Sequence, residues 1–130
     1  MLLTGLYAER SGLPSVIWQN DLDKGLPPTE PTLGDMFKAA GYKTACFGKW
    51  HLGHGKRFLP AERGFDEFLG IPYSFDMPPC PLMDGTEVVE REVNREALAG
   101  RITERALRFI ETHNREPFFL YFPHTAPIHR

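Results

Sequence analysis

Leu98, Ile102, Ala106, Phe109 and Ile110 recur at the spacing of one helix face, and they predict a helix over residues 94–114, the longest in the chain. Arg101 and Thr103 fall outside this stripe. Pro117 stops the pattern, and Phe118-Phe119-Leu120-Tyr121-Phe122 follows as a nearly continuous apolar run. Bounded by prolines, that run reads as a strand buried on both faces, as central parallel strands are. A second helix is expected over 29–41. Thr29 or Glu30 caps it, Pro31 stands near its first position, and Gly41 ends it. Leu33, Met36, Phe37 and Ala40 form its apolar stripe, with Met36 as core filling. A short strand over 42–47 comes next, and the chain is expected to turn at Gly48. A strand after a helix, twice over, predicts α/β architecture with right-handed crossovers.

Between these elements the pattern is weaker. Residues 1–5 read as the last turn of a helix, with Gly5 in the terminating position. Residues 6–29 form a long loop rich in turn formers, in which Trp18 is expected to be a packing anchor. Asp84-Gly85 between apolar flanks predicts a hairpin over 81–90 with a tight turn. His54, between two glycines, is expected to be a solvated loop residue.

With 130 residues the chain has room for one domain at most. A formal net charge of −2 argues against a dedicated nucleic-acid binder, and the arginines from Arg91 to Arg108 alternate with glutamates, as on a solvated helix face. No apolar run approaches the length of a membrane span, and no signal-peptide pattern opens the chain. Two cysteines, Cys46 and Cys80, make no disulfide scaffold. Cys46 reads as a buried small hydrophobe, while for Cys80 a bond to Cys46, a bond elsewhere and a free thiol stay open.

The chemistry concentrates in Gly41-Tyr42-Lys43-Thr44-Ala45-Cys46-Phe47-Gly48-Lys49-Trp50-His51-Leu52-Gly53. A cation and an imidazole at the carboxyl end of a strand stand where open α/β sheets keep their ligands. Lys49 brings a fixed charge and His51 a proton that moves near neutral pH, a pair suited to an anion with a leaving group to protonate. Lys-x-His alone is a weak signal. The whole stretch, however, resembles the second signature of the sulfatase family, roughly Gly-Tyr-x-Thr-x-x-x-Gly-Lys-Trp-His-Leu-Gly. Farther on, Gly64-Phe65-Asp66-Glu67-Phe68-Leu69-Gly70-Ile71-Pro72-Tyr73-Ser74 resembles a second sulfatase block that ends on a substrate-binding Ser. The resemblance puts that role on Ser74. The plain alternative is a Ser closing its own turn.

Sulfatases close the strand equivalent to 118–122 with a loop whose His contacts the sulfate. Aligned without a gap, that His falls on Ile128, leaving His129, one residue on, and His124 as the two candidates, His129 slightly ahead. The resemblance implies an alkaline phosphatase-like sandwich with a mostly parallel central sheet, incomplete as it stands. Residues 1–130 would be an internal segment of the N-terminal catalytic domain, lacking the C-terminal part and the upstream nucleophile motif, Cys-x-Pro-Ser-Arg. It also implies a formylglycine nucleophile and a calcium ion. Neither Cys46 nor Cys80 stands in the formylglycine context, and Asp21, Asp23 and Asp35 match neither ligand pair for the metal. The implied activity is sulfuric ester hydrolysis of an aryl sulfate or sulfated glycan, with this segment inactive alone. Lys49 would neutralise charge, His51 would hold the nucleophile or sulfate, and the last-loop His would protonate the leaving oxygen. A phosphatase or phosphonate hydrolase of the same superfamily, a non-catalytic binder of sulfated glycans and a structural remnant are the rival readings. The family is often periplasmic, lysosomal or secreted.

Overall fold

A computed structural model describes residues 2–125. Its centre is strand β1 (Lys43–Lys49), whose residues 44–48 are all buried. β1 pairs in parallel with β2 (Glu67–Ile71) on one side and with β5 (Phe118–Tyr121) on the other. Beyond β2 the sheet continues antiparallel through the hairpin β3 (Leu82–Asp84) and β4 (Glu87–Glu90), giving the order β4-β3-β2-β1-β5. The sheet is therefore mixed, with a parallel centre and an antiparallel hairpin at one edge.

Alternation along β1 divides the core in two. Ala45 and Phe47, with Leu69 and Ile71 of β2, face helix α2 (Arg95–His113) and meet its Leu98, Ile102, Ala106 and Phe109. Cys46 and Phe68 point the other way, where Trp50, Leu59, Phe65, Phe119 and Tyr121 pack near helix α1 (Leu33–Ala39). α2 begins where Asn94 accepts hydrogen bonds from the Glu96 and Ala97 amides, and its stripe buries as the spacing requires. Ion pairs clasp it to the hairpin edge: Arg105 meets Asp84 and, at 3.7 Å, Glu67, and Arg101 meets Glu90. These pairs are partly solvated, so they fix orientation more than they add stability.

Several expectations are corrected. α1 is capped by Thr32, not Thr29 or Glu30. Its hydroxyl accepts from the Asp35 amide and the Asp35 carboxylate accepts from the Thr32 amide, a reciprocal box that leaves Pro31 outside the helix. Met36 is 61% exposed. α1 approaches its neighbours through Gly34, where a Cβ would lie 2.7 Å from the Arg63 carbonyl oxygen, so Met36 faces away. β1 does not turn at Gly48; Gly48 and Lys49 stay in the sheet opposite Gly70 and Ile71. β5 is only half-buried because β1 is its sole neighbour among the described strands. Trp18, at 58% exposure, anchors nothing, and Ile110 lies at the solvent margin of α2. Residues 2–4 form a turn, although Gly5 has the expected left-handed φ of +69°. Cys46 and Cys80 are both buried free thiols, in the cores on opposite faces of the sheet.

This division gives a stability contrast within one helix. Ile102→Ala is expected to cost about 2–5 kcal/mol in urea unfolding, and Ile110→Ala less than about 1 kcal/mol. Equal losses would mean that the α2 face is assigned wrongly.

Candidate functional site

The site is built where three parallel strands end. Gly48 and Gly70 face each other across β1 and β2 so closely that a Cβ on Gly70 would lie 1.8 Å from the Gly48 oxygen. On the other side, a Cβ on Gly48 would lie 2.1 Å from the Pro123 oxygen, and Gly48 has a φ of +134° that side chains rarely tolerate. Beyond this contact the three strand ends stay stitched together. The Lys49 amide donates to the Pro123 carbonyl, the Trp50 amide to Ile71 and the His51 amide to Pro72, each at 3.0 Å. In consequence Lys49 at the end of β1, Ser74 after β2 and His124 after β5 line one cavity of about 200 Å³, together with Ile71, Phe75 and Thr125.

Other residues of the same stretch hold this edge in place. The Thr44 hydroxyl donates to the Gly64 carbonyl at 2.7 Å, and the Asp66 carboxylate accepts from the Thr44 amide at 3.1 Å. Trp50 is buried with its indole N–H donating to the Phe58 carbonyl at 2.8 Å. Arg63, 2% exposed, donates to the carbonyls of Pro27 and Glu30 and so fastens the loop before α1.

His51 has a φ of +53°, the one non-glycine left-handed residue among those described, at a cost of roughly 1–2 kcal/mol. The turn brings its ring onto the loop, where Nε2 lies 3.0 Å from the Ile17 carbonyl oxygen, so His51 is not among the residues that line the Lys49 cavity. A carbonyl only accepts, so Nε2 carries the hydrogen and Nδ1 of the neutral ring is an acceptor. Burial pushes the imidazole pKa down against the pull of that carbonyl; Lys49 adds to the depression and Asp76 opposes it. The ring borders a second, mainly apolar cavity of about 460 Å³ lined by Ala8, residues 13–17, Trp50 and Leu52.

His54 is not the solvated residue expected from its glycine neighbours. Its Nε2 donates to the Gln19 carbonyl at 3.0 Å, its ring stands edge-on to Tyr73, and Nδ1 is buried without a partner. His124 is exposed beside the Phe122 ring, and His129 lies outside the described residues. Asp76 escaped the sequence reading, for a lone Asp two residues after a Ser carries no signal. Here the Ser74 hydroxyl holds its carboxyl below the usual range, and the charges of Lys49 and His51 lower it further.

The described residues do not fit a calcium site: no three His, Cys, Asp or Glu side chains converge as metal ligands. The acidic candidates are engaged elsewhere, Asp21 with Lys24 at 2.9 Å, Asp23 with Arg57 at 3.9 Å and Asp35 in the α1 cap. Neither thiol is poised as a nucleophile, because burial raises Cys46 well above the usual thiol range and Cys80 to about 11.

Residues 1–129 match the family model described as Sulfatase. The chain belongs to the sulfatase family. Arylsulfatase G of Rattus norvegicus is 37% identical over 92% of this sulfatase chain, and arylsulfatase A of Bos taurus is 48% identical over 61% of it. The matches cover only 29% and 16% of those relatives, so the chain spans less than a third of their length. A solved structure from work on the metabolism of multiple glycosaminoglycans by Bacteroides thetaiotaomicron superposes with a TM-score of 0.79 at 24% identity, over 93% of this chain and 38% of that one. It shows the fold, which is the alkaline phosphatase-like fold. No helix among the described residues is long and apolar enough to cross a membrane.

The two loop-facing imidazoles predict a pH dependence. Burial leads the lowering of both from 6.5, so folding favours their neutral forms. Their contribution is complete above the unfolded value and is lost as pH falls from there through the lower folded values. The melting temperature is expected to drop from pH about 7 to about 5. In His54→Gln the drop should be shallower; an unchanged slope would remove His54 from the account.

Proposed function

We propose that this chain is an internal segment of the N-terminal catalytic domain of a sulfuric ester hydrolase, where it forms part of the sulfate pocket. The observation that carries the reading is the convergence of Lys49, Ser74 and His124 on one cavity at the carboxyl ends of three parallel strands. A sulfate monoester is an anion whose cleavage needs charge stabilised on the sulfuryl oxygens and a proton for the leaving oxygen. The Lys49 ammonium answers the first need, and the Ser74 hydroxyl, which otherwise donates to the Asp76 carboxyl, would turn to donate to a second oxygen. His124, or His129 beyond the described residues, supplies the proton. His51 works from the adjoining side. With Nε2 committed to Ile17, its Nδ1 is left to accept a hydrogen bond, by which it would hold the nucleophile.

The formylglycine nucleophile and calcium ligands implied by the family would come from outside this chain. The names of the arylsulfatase relatives favour a sulfate ester, with an aryl sulfate as the class they name.

The test compares the 130-residue chain with the full-length protein on an aryl sulfate and the matching aryl phosphate. Lys49→Ala in the full-length protein is expected to lower kcat/KM for the sulfate about 100- to 1,000-fold. Metal-dependent turnover by the short chain at the full-length rate would overturn the segment reading. Faster turnover of the phosphate would move the protein to a phosphatase.

A further inference from the structure

The residue beside Ser74 has no part in the chemistry above. Phe75 lines the same cavity as Lys49, Ser74, His124 and Thr125, and it is half-buried, whereas Ile71, the other apolar lining residue, is fully buried. Phe75 is thus the apolar surface that a bound molecule meets in a cavity otherwise lined by polar groups. Its ring is also held from outside. The Arg95 guanidinium lies 5.2 Å from the ring centroid and donates a hydrogen bond to Phe75's own carbonyl. Arg95 is the first residue of α2, directly after the Asn94 cap, so the arm that fixes Phe75 is rooted in the longest helix. The ring also packs against the core on the α2 face of the sheet.

A sulfate ester presents two unlike ends, a charged sulfuryl group and a carbon group on the bridging oxygen. If polar side chains hold the first, the second must leave the cavity past its apolar wall. We propose that Phe75 is a specificity-determining residue that takes the flat ring of the leaving group, an aryl ring or the C–H face of a sugar, against its own ring, and that Arg95 is the positioning residue that holds it there. A side chain held in place before binding loses little rotamer freedom when the ligand arrives. This inference rests on the sulfate-ester reading and deepens it by assigning the leaving-group end of the pocket.

The experiment uses the full-length protein and compares KM for para-nitrophenyl sulfate with Ki for inorganic sulfate, which has no ring. In Phe75→Ala the KM/Ki ratio is expected to rise about 10-fold, the upper part of the range for an aromatic pair. Phe75→Leu keeps apolar bulk without a π-face and should raise the ratio by a smaller factor, which guards against an Ala variant that fails to fold. Arg95→Ala should raise the same ratio with a smaller effect on kcat, and Arg95→Lys should recover part of the loss. An unmoved ratio, or a KM and Ki that rise together, overturns the role of Phe75 while leaving the sulfate pocket standing. A wild-type protein that neither cleaves the aryl ester nor responds to inorganic sulfate overturns the sulfate reading, and this inference with it.

Discussion

The structure depends on one close contact, the backbone crossing at Gly48. Three strand ends meet there with no room for a Cβ on Gly48 or Gly70, because the space is taken by the carbonyl oxygens of Pro123 and Gly48. Any side chain at Gly48 or Gly70 would force the ends of β1, β2 and β5 apart. The Lys49, Trp50 and His51 amides could not then reach Pro123, Ile71 and Pro72 together. Lys49, Ser74 and His124 are far apart in sequence and stand at or beyond the ends of three different strands. They share a cavity because the backbones beneath them are almost in contact.

Around that contact the signature stretch divides its labour. Thr44 and Trp50 are turned inward and spend their polar atoms on carbonyls of the 58–64 segment, so they hold the sheet edge in place. Lys49 and His51 lie one residue to either side of Trp50, and its burial helps to fix where both emerge. His51 leaves the strand through a left-handed turn that a non-glycine residue adopts only when its surroundings enforce it. The amide bond to Pro72 and the ring contact with Ile17 supply that enforcement.

The long segment before α1 is ordered by a different principle. It has no periodic apolar face, and several of its apolar side chains, including Tyr7, Val16, Trp18 and Leu22, stay in solvent. Polar groups reaching out of other elements hold its backbone instead: His51 at Ile17, His54 at Gln19, and Arg63 at Pro27 and Glu30. Leu26 alone is fully buried from its second half, and its amide donates to the Leu52 carbonyl. The loop is therefore tied to the signature stretch at several points, so its position and that of His51 depend on each other.

Much of this was legible in the sequence, because periodicity and signature residues report local constraints. The α2 stripe, the hairpin at Asp84-Gly85 and the strand through residues 43–47 follow from side-chain spacing and turn chemistry, which act over a few residues. The signature residues alone pointed to the family. The misread elements are those whose environment is set by distant residues. Gly34 meets Arg63 and Phe65 and so leaves Met36 outside; β5 has β1 as its single neighbour among the described strands; His54 is covered by Gln19 and Tyr73. The sequence by itself determined that a cation and an imidazole stand near the end of a strand. Only the tertiary structure decided that Ser74, Phe75 and His124 join Lys49 while His51 turns toward Ile17, because that grouping is made by backbone approach between residues dozens of positions apart, which no local pattern encodes.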